Sequence, residues 1–157
     1  MLNRYLSACF LLSIFLSWPE TTIAGEANCL AKNLYWESRN QTVNSMYAVA
    51  EVVMSRVKDN RWPDTVCGVI KQKRHGICQF SWYCDGKDDM PRNRKAYVYS
   101  IALTKYFLKR SMMIIDFTEG ATHYHADYID IPRWAKKGRG KVKTVQIDTH
   151  IFYRWDQ

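Results

Sequence analysis

With 157 residues, 47% of them hydrophobic, the chain is too short for two independent cores and too apolar for a disordered segment, so a single domain is expected. Its formal net charge of +8 asks for an anionic partner, which narrows the classes to nucleic acid, an acidic membrane or an acidic cell-wall polymer.

The N-terminus bears on that choice. Residues 1–4 supply a short positive start, residues 5–18 carry no charge, and Thr22-Ile23-Ala24 before Gly25 offers the small residues a signal peptidase requires. Residues 1–24 therefore read as a signal peptide and residues 25–157 as the exported domain. The uncharged run is shorter than the roughly 20 residues that span a bilayer as a helix, and Pro19 ends it, so no stable membrane anchor is expected. Removing the segment leaves Cys29, Cys67, Cys78 and Cys84, an even set suited to two disulfides in an oxidising compartment. Three pairings are open, one of which joins Cys78 to Cys84 across a hairpin. No Cys-x2-Cys pair suggests zinc.

In chain order, a first helix is expected from Cys29 with Asn28 as its cap. Leu30, Asn33, Leu34 and Glu37 then share one stripe. A carboxyl at the end of a core-facing stripe is desolvated, which raises its pKa, as suits a general acid; taken alone, the stretch favours a solubilising carboxylate paired with Arg39 or a neighbour. Gln41-Thr42 caps a second helix through Val57, with Val43, Met46, Ala50, Val53 and Met54 in helical period. A short helix follows at residues 65–71, then a basic loop, KQKRH. The segment ICQFSWYC between Gly76 and Gly86 suits a strand or tight hairpin, placing Gln79, Ser81 and Tyr83 on one face and Phe80 and Trp82 on the other. Asp88-Asp89 and Pro91 mark the start of a long helix bearing Ala96, Tyr99, Leu103, Tyr106 and Phe107 on its packing face. Residues 111–116 suit a strand or loop approach.

On an extended backbone, His123 and His125 point one way and Thr122 and Tyr124 the other. Paired imidazoles invite a metal, for which His75, His150, Asp127 and Asp130 are the available third ligands, none at a recommending spacing. Hydrogen bonding to a sugar or a carboxylate is the other use of the pair. Trp134, after Pro132, offers a stacking wall, and residues 142–153 alternate as a strand.

Taken together, CLAKNLYWESR, DTVCGVI, CQFSWYCDG, GATHYHADYID, PRWA and HIFYRW resemble, in order, the SleB-type (spore-cortex-lytic) cell-wall hydrolases. The resemblance implies an α+β fold, mainly helical and lysozyme-like as in lytic transglycosylases, with a small β-hairpin or β-sheet part. It also implies peptidoglycan glycan strands as partner, no cofactor, and a monomer that is periplasmic or associated with the cell wall. The family's catalytic glutamate closes a Tyr-x-Glu segment and corresponds to Glu37. By the same matching, Gln79, Ser81, Thr122, His123, Tyr124, His125 and Trp134 are expected to line the substrate cleft. Where the family commonly has Glu-Ala-Arg-Gly-Glu, this chain has Glu37-Ser38-Arg39-Asn40-Gln41, so its second carboxylate is an amide. One glutamate acting alone implies cleavage between N-acetylmuramic acid and N-acetylglucosamine with closure of a 1,6-anhydro ring. A water-using muramidase is the alternative, and a metal-dependent amidase built on His123 and His125, or a non-catalytic wall-binding module, are alternatives of another class. Export and the lack of a nucleic-acid motif argue against nucleic acid.

Overall fold

The computed structural model describes residues 20–110 and 116–156. Most of the expected signal peptide, and nearly all of the segment expected to approach the β region at 111–116, lie outside these residues. Helix α1 spans Glu20–Ser38, helix α2 Val43–Lys58, helix α3 Val66–Lys71 and helix α4 Arg94–Arg110. The strands are β1 (Lys73–Arg74), β2 (Ile77–Cys78), β3 (His123–Ala126), β4 (Lys141–Ile147) and β5 (His150–Trp155).

The expected helix start at Cys29 is corrected by a longer α1. Asn28 sits inside the helix, and its Oδ1 accepts a hydrogen bond from the Tyr97 hydroxyl at 2.6 Å instead of capping. Nothing between Glu20 and Cys29 stops a helix, since Gly25 alone costs only about 1 kcal/mol relative to alanine. The stripe itself is as expected: Leu30, Asn33 and Leu34 are fully buried. They meet Met46, Val49 and Val53 of α2 in the main core, which Phe80 and Phe107 help to close. Full burial of each such Leu or Val contributes about 1.5–3 kcal/mol.

Helix α2 begins where Thr42 Oγ1 accepts from the Ser45 amide at 3.4 Å. The same threonine donates its amide and its hydroxyl to Asp148 Oδ2, at 2.9 and 2.6 Å. Asp148 lies in the turn joining β4 to β5, so the last hairpin is fastened to the start of the second helix. Helix α3 is capped by Thr65 and crosslinked to α1 through the Cys29–Cys67 disulfide. Glu26 of α1 also accepts the Val66 and Cys67 amides. Gly68 is required here because a Cβ would come within 2.8 Å of Pro63 Cβ.

The Cys78–Cys84 pair is the second disulfide. The strand reading of ICQFSWYC is corrected: β1 and β2 form a minimal antiparallel hairpin, turned at His75 and Gly76 with φ of 50° and 79°, and Ser81–Cys84 is a 3-10 turn. Positive φ at two successive positions is the geometry of a tight hairpin turn. The disulfide closes the ring around the 3-10 turn, and Trp82 Nε1 donates to Asn33 Oδ1 at 3.0 Å, holding that turn against α1. Period-two alternation of side chains was therefore produced by a turn.

Helix α4 starts later than the Asp88-Asp89 signal suggested. Asn93 Oδ1 accepts the Ala96 amide at 3.1 Å as the cap, while Asp88 closes a local turn by accepting from the Met90 amide. Its buried face is Ser100, Leu103, Thr104 and Phe107, leaving Tyr99 and Tyr106 about half exposed. Residues 142–153 form a hairpin, not one strand, and the resulting antiparallel sheet has the order β3-β5-β4 with a bulge between Lys143 and Gln146. Ala48 and Val52 of α2 pack against Ala121 and Phe152, joining sheet and helices. Among the described residues no helix is long and apolar enough to cross a membrane.

Candidate active site

Glu37 is carried by the last turn of α1, which stops one residue later at Ser38. It is partly buried, one turn beyond the fully buried Asn33. Strand β3 runs antiparallel to β5 with Tyr124 opposite Phe152, and it delivers Tyr124 toward the helices. The Tyr124 hydroxyl donates to Glu37 Oε2 at 2.8 Å. Burial raises the Glu37 carboxyl above the ordinary carboxylate range, while the Tyr124 hydrogen bond and the nearby Arg56 charge pull it back. Burial, followed by the charge and hydrogen bond of Glu37, holds the Tyr124 phenol well above its usual range, so it stays a donor.

Arg56 completes the group. It is only 5% exposed, and its Nε donates to the Thr122 carbonyl at 2.7 Å. The guanidinium carbon stands 4.2 Å from the centre of the Trp62 ring and 5.1 Å from that of Phe80. Burial lowers its pKa to about 10, against the opposing influence of Tyr124 and Glu37, and it remains a cation at neutral pH. Its Nη1 has no hydrogen-bond partner within the protein.

A cleft of about 410 Å³ opens beside this group. Arg56, Gln79, His123, Tyr124 and Trp134 line it, together with Lys141 and Trp155. Arg74 is its third cation, and no carboxylate lies on its wall. Lys141 Nζ sits 3.9 Å over the Trp155 ring. His123 lies between Trp62, Trp134 and Trp155, with ring centres 5.3–5.7 Å away. Burial first, then the charges of Arg56, Lys141 and Arg61, push its pKa down to about 3, so it is a neutral imidazole across the physiological range.

The structure thus gathers Gln79, His123, Tyr124 and Trp134 in one cleft, and Glu37, which is not on its wall, is joined to it through Tyr124. Thr122 is buried behind it, with its carbonyl on Arg56 and its hydroxyl 2.9 Å from His123 Nδ1. His125 is buried between Trp134 and Tyr153, Nδ1 against the Ala126 carbonyl and Nε2 against the Tyr153 hydroxyl. Ser81 is exposed in the 3-10 turn and is not part of the cleft wall. Among the described residues no three His, Cys, Asp or Glu side chains are grouped so as to hold a metal.

Sequence reasoning passed over Arg56, Trp62 and Lys141. A signal for Arg56 was present: it lies three and seven residues after Val53 and Val49, on the apolar stripe of α2, the same oddity that singled out Glu37 on α1.

An acid with raised proton affinity, a phenol donor and a buried cation meet at the edge of an aromatic, cationic cleft. The set can deliver a proton to a bound oxygen and then stabilise the carboxylate left behind.

The sequence pattern of the family described as Cell Wall Hydrolase matches residues 40–153. That span includes Arg56, Gln79 and Tyr124, and begins three residues after Glu37. Among solved structures, the catalytic domain of the SleB protein from Bacillus cereus superposes with a TM-score of 0.61 at 24% identity, covering 83% of this chain and 91% of that one. The catalytic domain of the germination-specific lytic transglycosylase SleB from Bacillus anthracis superposes with a TM-score of 0.59 at 26% identity, covering 82% and 93% respectively. No curated protein matches the chain. The α+β, mainly helical lysozyme-like fold expected from the sequence is the fold these domains share with it.

Proposed function

Because this chain belongs to the cell wall hydrolase family, we propose that it cleaves the β-1,4 bond between N-acetylmuramic acid and N-acetylglucosamine in peptidoglycan, as a lytic transglycosylase with Glu37 as its catalytic acid and base. The observation that carries this reading is the Glu37–Tyr124 pair: a desolvated carboxyl, raised in proton affinity, hydrogen-bonded to a tyrosine of a cleft whose own wall holds no carboxylate.

A hydrolase with two carboxyl groups uses one as acid and the other as base or nucleophile. With Gln41 in place of the family's second carboxylate, the nucleophile is taken from the substrate. Protonated Glu37 gives its proton to the glycosidic oxygen as the bond to muramyl C1 breaks. The resulting carboxylate accepts the Tyr124 hydrogen bond and faces the Arg56 charge. It then takes the proton of the muramyl C6 hydroxyl as that oxygen closes onto C1, leaving a 1,6-anhydro end and returning Glu37 to its starting state. Arg74 and Lys141 on the cleft wall suit the carboxylates and acetamido carbonyls of the strand. Trp134 and Trp155 suit its sugar faces. Export by residues 1–24 as a signal peptide belongs to the same reading.

Mass spectrometry of fragments released from purified sacculi tests it. Anhydro-ended muropeptides are expected. Reducing-end muramic acid, heavier by one water, would make the enzyme a muramidase, and peptide fragments with uncut glycan would remove the glycosidic reading.

A further inference from the structure

Helix α1 borders a second groove, of about 490 Å³, whose wall includes no residue of β3. Trp36 adjoins Glu37 in the chain, a rotation of about 100° around the helix, so this groove opens within one helical turn of the proposed acid. Its apolar wall is the stacked pair Trp36 and Trp82, with ring centres 6.4 Å apart and planes 20° from parallel. Both indoles are held in place, Trp82 by its hydrogen bond to Asn33 and Trp36 by donation to the Asp89 carbonyl at 3.4 Å.

The charges around this wall are unusual in what they leave unpaired. Lys87 pairs with Asp85 at 3.3 Å. Arg39 lies over the Tyr35 and Trp36 rings, 4.7 and 5.2 Å from their centres, and donates to the Tyr35 carbonyl at 3.2 Å. Among the described residues it has no carboxylate partner within 4 Å, and neither has Arg92. Asp88 accepts only the Met90 amide, and the Asp89 carboxylate meets no cation. Two guanidinium groups and two carboxylates line one groove without neutralising one another. A ligand that satisfies all four carries both signs and an apolar body of its own.

From this arrangement we infer that the groove binds the peptide stem of peptidoglycan, taking the free carboxylate and free amine of a diamino acid between the guanidinium pair and the aspartate pair. The inference rests on the proposed cleavage at the muramyl residue. The stem hangs from the muramyl lactyl ether, and the groove opens within one helical turn of Glu37, within reach of the stem of a muramyl ring held there. A bare glycan chain carries no amine to use Asp88 and Asp89, and a simple anion would be repelled by them.

The test is calorimetric titration of the full chain carrying Glu37→Gln with a soluble tetrapeptide of L-alanine, D-glutamate, diaminopimelate and D-alanine. Saturable binding is expected, weakened about fivefold by Arg92→Ala or by Asp89→Ala, the change expected from losing one exposed charge pair. Both side chains are at or near the surface, and matched melting temperatures would show that the fold is kept. Absence of saturable binding at millimolar peptide, or binding that neither variant weakens, overturns the inference. The titration involves no turnover, so peptide binding without glycan products would keep the groove and remove the glycosidic reading, whereas anhydro products without peptide binding would do the reverse.

Discussion

On one flank of α1, Glu37, Arg56 and Tyr124 are drawn out of water, and each has its proton affinity moved by that burial. On the other, Arg92, Asp88 and Lys87 stand in solvent on a loop, facing a floor of two indoles. Both flanks are aromatic and both are charged, yet on the first desolvation separates the charged from the neutral states in energy, raising the proton affinity of Glu37. Solvated charges can still select a ligand by sign. In the proposed reading this difference divides the work along one helix, with bond cleavage beside β3 and recognition beside the loop that precedes α4.

Substitutions can break that division. The largest effect is expected for Glu37→Gln, a loss of lysis of about 10³-fold or more in turbidity assays on sacculi with an unchanged circular dichroism spectrum. Full activity of this variant would dismiss the glutamate from the chemistry. Tyr124→Phe should lower the rate about tenfold, the size of one hydrogen bond to a charged group. Its hydrogen bond lowers the Glu37 pKa, so removing it raises that pKa further. The alkaline limb of the pH–rate profile, where the acid loses its proton, should therefore move to higher pH.

Arg56→Lys keeps the charge but forfeits the Nε bond to Thr122 and the flat contact with Trp62. A loss of about 1–3 kcal/mol in denaturant unfolding is expected, with the alkaline limb less displaced than in the tyrosine variant. Glu51 offers a check in which burial acts on stability alone. It accepts the Phe117 and Thr118 amides at 3.3 and 3.1 Å, and burial, reinforced by Asp116, raises its pKa to about 7. The folded state thus holds this proton more tightly than the unfolded chain does. Its contribution is complete below the ordinary carboxylate pKa and fades as pH rises through 7, so the melting temperature should fall over that window, and Glu51→Gln should flatten the fall. The smallest effect belongs to the solvated flank: added salt should erase the Arg92→Ala difference on sacculi while leaving the Tyr124→Phe difference largely intact.

Much of the helical framework could be read from the sequence because it rests on local periodicity. The stripes of α1 and α2, and the Thr42 cap, are short-range signals that tertiary packing did not override. The errors arose where a distant partner decided the outcome. ICQFSWYC alternates like a strand, but Asn33 and the Cys78–Cys84 crosslink draw it into a turn. Asn28 has the chemistry of a cap, and its side chain serves Tyr97 instead. At the site, Glu37 stood out as an unusual residue and Tyr124 entered through the family resemblance, whereas their contact depends on a strand pairing that no local pattern encodes. Arg56 was hidden because a charged residue near a helix end is ordinarily taken for a solvated one.

The contact between Tyr124 and Glu37 joins residues 87 positions apart, and Arg56 reaches Thr122 across 66. During synthesis the glutamate therefore precedes the strand that completes its surroundings by more than half the chain. Until β3 docks, its carboxyl is hydrated and gives up its proton as any exposed carboxylate does. The order in which the polypeptide is made becomes a safeguard for the proposed chemistry, since the surroundings that raise the proton affinity of Glu37 do not exist until the far end of the fold has closed over it.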